Sequence, residues 1–581
     1  MKIVCFSPND AVWLWTFPQA QFLEALQQRG DEITYVYCDR EFSSFCMSMA
    51  SFRVSFTDPP ARKQEICDIC VAQSGLVRSR FNFPSRPLKA FLTDADRKMA
   101  DLLSTTYSME DLAGQTLFGV PIGKFAMFET VIQTKSITGQ LTPAAEAYYR
   151  ANFRNTYLAA CASHRILDEL KPDIGLSYHT AYAYNRAFQQ IAETKDIPVW
   201  FLNASLNVAE TSTHLIAARS DSERFYKQML VDWPRFRDIH CADAEFDRAA
   251  DHLIGLMGGG GFGYSNAIAR DSDGPLEKLG CPPGKKILLA ALSSYDEILA
   301  AELSGFGWAL ENSIFESQVE WVRWLFDFVR DRNDIHLVVR VHPREFTAGD
   351  TGRKSEHARL LQEVFVEKPD NVSINLPADQ ISIYELLMHV DAVLIAWSSA
   401  ASDAGMLGIP AVTYCEDILL FPRELVFCAK SRDQYGVLIE KALAEGWSLE
   451  RARGFYRWAV LALMRTRIDM TNGARIASRR GKLHHFLHRA LTRIGMAVGR
   501  MSREEVDIAR RPRRLNSASR IYRLLDQRLA LFYQLDQVSE IESGEAEETA
   551  SLKRQFQRVA GFVEQRRGKV PAKLHALLAR S

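Results

Sequence analysis

Three side chains close together, Ser398, Ser399 and Asp403, have the chemistry to hold a phosphate and a sugar. They follow an apolar run at 392–397 that reads as a buried strand. Where such a strand gives way to a helix, free backbone N–H groups meet the positive end of the helix dipole, and a phosphate suits that point. Asp403 stands four residues after Ser399, one helical turn on and on the same face. A carboxylate there can take the two hydroxyls of a ribose. His342 and Pro343 end another apolar run, because proline cannot donate to a strand ladder. Arg340 is two residues earlier and so on the same strand face as His342. Ser293 and Ser294 repeat the pattern after the run 287–292. Each residue alone has an ordinary alternative: serines cap helices, an early Asp compensates the dipole, and a histidine packs.

These residues need strands that end on one edge. Runs at 287–292, 336–342, 372–376, 392–397 and 411–414 alternate with helical stretches at 317–331 and 356–366 and before 390. That alternation predicts a parallel, doubly wound sheet, with ligands gathered at the carboxyl ends of its strands. The first half opens the same way, with strands at 2–7, 32–38, 174–178 and 197–202 and helices at 19–28 and 151–170. Its strand-end loops carry Asp10, with Trp13 and Trp15 nearby, then His179, Glu210 and His214. These four are the candidates for a general base acting on a hydroxyl. Asp296 and Glu297 are further carboxylates on the donor side.

Helices are expected from the 203–214 loop to about 257, where a glycine run at 258–263 marks a boundary. The expected organisation is α/β: a Rossmann-like domain at 1–265, a second at 285–450, a crossing helix at 451–475 and a basic helical extension at 476–581. Within the extension, 482–498 places Leu483, Leu487, Leu491, Ile494 and Val498 on one helical face and His and Arg on much of the other. Such a helix docks on its own protein or on an anionic membrane surface. The acidic stretch 540–548 reads as a solvated linker.

Balanced charge, 71 basic against 71 acidic residues, gives no general attraction to nucleic acid. No apolar run reaches the roughly 18 residues of a membrane span, and the start reads as a strand rather than a leader. A cytoplasmic protein is expected, attached peripherally, if at all, through 476–500. Cys67 and Cys70 lack a second Cys or His pair at useful spacing, so buried reduced thiols are expected and no metal site. The loops at 118–124 and 280–286 lack the spacing of a phosphate-binding P-loop.

The order His342-Pro343 then Ser398-Ser399 resembles the HP and SS motifs of bacterial capsule enzymes. These are the polysialyltransferases and the Kdo-transferring capsule polysaccharide biosynthesis and export family. The spacing Ser-Ser-x-x-x-Asp-x-x-x-x-Gly-x-Pro at 398–410 also resembles teichoic-acid glycerophosphotransferases, which use CDP-glycerol. The resemblance implies a GT-B architecture, with two Rossmann-type domains facing a cleft. It implies phosphate binding by His342, Ser398 and Ser399, ribose binding by Asp403 and a metal-independent glycosyl transfer with no cofactor. The implied partners are a nucleotide-sugar donor, favouring CMP-linked Kdo or a sialic-type acid, and a saccharide or glycolipid acceptor. The acidic-Gly motif that bacterial sialyltransferases use for the base has no clear copy here. The alternatives are therefore a CDP-polyol phosphotransferase, a non-catalytic GT-B-like binding protein in polysaccharide export and, less favoured, a sugar-nucleotide epimerase.

Overall fold

The computed structural model describes residues 1–136, 141–260, 274–305, 310–345, 355–472, 502–533 and 544–580. Its strands are β1 (Lys2–Ser7), β2 (Glu32–Tyr37), β3 (Ser85–Pro87), β4 (Ile174–Tyr178), β5 (Val199–Ala204), β6 (His214–Arg219), β7 (Lys286–Ala291), β8 (Ile335–Arg340), β9 (Val372–Asn375), β10 (Ala392–Ile395), β11 (Ala411–Thr413), β12 (Phe427–Cys428) and β13 (Arg467–Asp469). They form two sheets, ordered β13-β6-β5-β4-β1-β2-β3 and β12-β11-β10-β7-β8-β9. The second sheet is parallel throughout. In the first, β6 runs antiparallel to both of its neighbours.

Each sheet is covered on both faces, which is why its strands read as continuous apolar runs. Val4 and Phe6 of β1 point to the side covered by helices Ile122–Thr134, Pro143–Leu170 and Ala183–Thr194. Ile3 and Cys5 point to the side covered by helix Trp13–Arg29 and chain from 508 to 532. The second sheet alternates likewise: Leu288, Ala290, Val339 and Leu394 face one core, while Ile287, Leu289, Val338 and Val393 face the other. Both sheets follow the Rossmann order. Its reversal falls between β1 and β4 in one sheet and between β7 and β10 in the other. The α/β class with two doubly wound sheets, of GT-B type, is thus read directly from the topology.

Several local readings are corrected. The first helix starts at Trp13, not near 19, and carries Pro18 inside it. The segment after 214, expected to be helical, is β6. Its Leu-Ile-Ala-Ala core has helix-compatible residues, but antiparallel pairing with β5 prevails. The expected crossing helix is shorter: helix Leu449–Val460 passes into a π-helical turn, Leu461–Arg465. The chain then adds β13 to the edge of the first sheet. The C-terminal extension closes the body. Tyr522 donates to the Ala25 carbonyl at 2.8 Å, Arg511 pairs with Glu24, and Trp200 donates to the Leu529 carbonyl at 3.1 Å. Glu548, expected in a solvated linker, is buried within helix Glu545–Arg567. There it accepts from the Cys241 N–H at 3.1 Å and pairs with Arg457 at 2.5 Å. The Arg457 pair and the Cys241 N–H offset the cost of taking this carboxylate out of water. The basic segment 482–498 lies outside the described residues, and so do residues 261–263 of the glycine run.

Candidate functional site

Register sets the donor-side edge. Ile395 of β10 pairs with Ala291 of β7, which pairs with Arg340 of β8. The three strands therefore end in one row at the point of reversal, and Ser398, Ser293 and His342 leave it side by side. Two strand spacings separate the outer pair, about 10 Å.

The seat of this row is tightly built. Helix Ala400–Met406 lies against helix Leu449–Val460, and a Cβ on Gly405 would fall 2.0 Å from the Phe455 ring. Gly408 turns the chain back into β11 at φ +82°, 2.6 Å from the Ser448 carbonyl at the Cβ position. Only glycine fits there. Gln318 grips Ser293 from both sides, accepting from its N–H at 2.8 Å and donating to its carbonyl at 3.0 Å. The Ser293 hydroxyl has no hydrogen-bond partner among the described residues. Ser294 donates to Asp296.

His342 is partly buried, and its Nδ1 accepts from the Arg344 N–H at 3.3 Å. That bond places the ring proton on Nε2. Burial, then the Arg344 charge, pushes the imidazole down to about 4, so the ring is neutral near pH 7. Ser398 Oγ accepts from the Ala400 N–H at 3.3 Å. Ser399, at the helix start, is exposed and makes no capping bond through its side chain. Asp403 accepts from the Tyr384 hydroxyl at 3.0 Å. Burial lifts this carboxyl to about 7, against the pull of that bond. Arg340 is spent elsewhere: it donates to Asn375 and to the Ile381 carbonyl at 2.8 Å, inside the protein. Burial brings it down to about 10.

The corresponding edge of the first sheet carries the candidate bases. Asp10 is buried beneath the end of β1, where it accepts from Ser7 at 2.7 Å and from the Tyr35 hydroxyl at 2.5 Å. Burial lifts it to about 7. Glu210 pairs with Arg467 and lies 3.8 Å from His214. His214 accepts or donates at 2.9 Å to Thr213 and lies 3.9 Å from Asp469. Burial lowers its pKa, with Asp469 opposing. The edge pair is thus engaged by its own neighbours. His179 differs. It ends β4, next to the reversal point of its sheet, with φ 59°. A non-glycine residue seldom takes that conformation. Asn185 holds its carbonyl at 2.9 Å, and its ring stacks on Tyr182 at 4.5 Å. Burial alone pushes it down to about 4, and Nδ1 is buried with no hydrogen-bond partner among the described residues. Trp15 stacks on Tyr178 at 5.4 Å and on Tyr182 at 6.0 Å, continuing an aromatic shelf. Trp13 packs in the core and donates to Asp507 at 3.0 Å.

Cys67 and Cys70 share helix Pro60–Phe81, and burial raises both thiols. Among the described residues, no cluster of His, Cys, Asp or Glu is arranged to hold a metal ion, and no helix is long and apolar enough to cross a membrane. Residue type and spacing did not reveal Tyr384, Gln318 or Arg344. Arg344, next to the His-Pro pair, was the nearest to legible.

No known protein family matches the sequence, and no curated protein does. Among solved structures, the chain is similar to KpsC, a β-Kdo 2,4 transferase from Thermosulfurimonas dismutans, at 13% identity and a TM-score of 0.32, over 51% of this chain and 81% of that one. It is similar to UDP-GlcNAc 2-epimerase from Neisseria meningitidis bound to UDP-GlcNAc, at 11% identity and a TM-score of 0.26, over 79% and 94%. It is also similar to the spinosyn rhamnosyltransferase SpnG complexed with spinosyn aglycone, at 10% identity and a TM-score of 0.25, over 80% and 97%. At such scores the fold rests on the strand orders above and the activity on the site itself.

Proposed function

We propose that the protein is a glycosyltransferase that moves a sugar from a nucleotide donor to a saccharide or glycolipid acceptor in surface-polysaccharide assembly. The favoured donor, by the His-Pro and Ser-Ser resemblance, is a CMP-linked Kdo or sialic-type acid. The observation that carries the reading is the single row of strand ends at the reversal of the second sheet. In this reading His342 Nε2–H and the hydroxyls and N–H groups at 398–400 meet the donor phosphate, and Asp403 holds the ribose. As the anomeric C–O bond breaks, its electron pair goes to the phosphate oxygen, and those donors stabilise the growing charge. The acceptor oxygen forms the new bond and gives its proton to the His179 imidazole. An anionic donor across the cleft raises the basicity of that ring. Trp15 and Tyr182 offer the sugar ring an aromatic face.

The test is turnover. CMP-Kdo and CMP-sialic acid are incubated with the full chain, with and without a bacterial surface-glycan extract, and free CMP is measured. Acceptor-dependent CMP release is expected. Donor binding without release under any acceptor condition would favour a non-catalytic binder, and glycerol phosphate transfer from CDP-glycerol would favour the polyol phosphotransferase.

A further inference from the structure

The seam between the two domains passes the end of β8. Helix Ile122–Thr134 of the first domain lies along helix Tyr295–Leu303 of the second. It stops at Lys135, which takes a left-handed φ of 56°. From there the Lys135 ammonium donates to the Arg344 carbonyl, two residues past His342. Arg344 reaches back, donating to the Ile132 carbonyl at 3.3 Å and pairing with Asp296 at 2.7 Å and with Glu297. Two cations, one from each domain, therefore flank the His-Pro turn.

Their field is felt there. After burial, Arg344 and then Arg340 and Lys135 disfavour a proton on His342, with Glu345 opposing. Lys135 is itself held below the ordinary lysine range by burial and by Arg344. The nearby carboxylates have other work. Asp296 and Glu297 hold Arg344, while Glu345 takes Ser355, His357 and the Tyr295 N–H. Among the described residues, the half-buried Lys135 ammonium bonds only this carbonyl oxygen, which leaves it N–H groups to give, and an anion is a stronger acceptor than an amide.

We propose that Lys135 is a phosphate ligand supplied by the first domain, so that the site at the end of β8 is complete only where the two domains meet. The identity of that phosphate as a nucleotide sugar's rests on the reading above, but phosphate binding by Lys135 can be tested without it. A ligand drawn from both domains also couples donor binding to domain contact. The interaction then has most value for the closed state in which transfer occurs.

The experiment titrates inorganic pyrophosphate into the full chain by calorimetry, for the wild type, Lys135→Gly, Lys135→Arg and Lys124→Ala. Glycine accepts the left-handed backbone without strain, so folding is preserved while the charge is removed. Lys124 is an exposed lysine on the same helix and serves as the charge control. The expected result is binding to the wild type, roughly ten- to hundredfold weaker in Lys135→Gly, largely kept in Lys135→Arg and unchanged in Lys124→Ala. Equal binding by wild type and Lys135→Gly, or no pyrophosphate binding by the wild type, overturns the proposal. The same variants are then titrated with CMP, CDP, UDP and GDP. Pyrophosphate binding that depends on Lys135 with no nucleotide bound would leave this site standing and remove the nucleotide-sugar reading. A nucleotide bound equally by wild type and Lys135→Gly would do the reverse.

Discussion

Replacing Asp403 by asparagine should stabilise the protein and disable it. The carboxylate is sequestered beside Tyr384, and burial moves its pKa from 3.8 to about 7. The folded state thus binds the Asp403 proton more tightly than the unfolded chain does. Between about pH 4 and 7 the folded form holds more protons, so stability falls as pH rises through that window. Above pH 7 the buried charge costs at most about 4 kcal/mol, at 1.36 kcal/mol per unit, and partial contact with water lowers that figure. Asparagine keeps an acceptor for the Tyr384 hydroxyl but carries no charge. Asp403→Asn should therefore raise the urea midpoint at pH 8, by the equivalent of about 1–4 kcal/mol, and leave it unchanged at pH 4. It should also weaken nucleotide binding roughly tenfold or more, through loss of the charge-assisted bonds to the ribose. A variant no more stable than wild type at pH 8, or one with the same gain at pH 4, would refute the claim that this carboxylate is held ready at a desolvated site.

Gly405→Ala should cost about 1–3 kcal/mol in urea unfolding, since its Cβ would meet the Phe455 ring at 2.0 Å, and Phe455→Leu in the same chain should recover part of the loss. His179→Asn should lower kcat by about a hundredfold or more while leaving donor affinity within a factor of two; a matching loss of donor affinity would move His179 out of the acceptor side. For the whole protein, Asp10 at about 7 and Glu129 at about 8 act in the same direction as Asp403, so stability should rise as pH falls from 8.5 to 6.5. Below 6.5 the opposing group takes over: His179, His252, His342 and His389, each near 4 when folded, take protons first in the unfolded chain, and the rise should stop. Melting temperatures measured across that range check both slopes.

The second domain was largely legible because its strands are buried on both faces and each ends in a polar turn. The 392–397 and 287–292 runs needed no long-range information, and their parallel alternation brought Ser293, His342 and Ser398 to one edge. Arg340 shows the limit of that reasoning. Strand alternation puts it on the face of His342, but a buried side chain follows its partners, and Asn375 and the Ile381 carbonyl hold it inside. The first domain was less legible where contacts span hundreds of residues. β13 is three residues long, too short for a periodic signal, and exists because the chain returns to pair with β6. Glu548 looked solvated in an acidic run because nothing local announces Arg457, 91 residues away. Lys135 is a surface-type residue in sequence and acquires its place only through Arg344, 209 residues on.

The central claim is that a nucleotide sits at the carboxyl ends of β7, β8 and β10. The direct measurement is thermal stabilisation of the wild type and His342→Ala by CMP, CDP, UDP and GDP. One nucleotide at a hundred times its Kd should stabilise the wild type by about 2.7 kcal/mol, and the variant should lose most of that shift while melting normally without ligand. No shift with any of the four, or a full shift retained in His342→Ala, would place the site elsewhere.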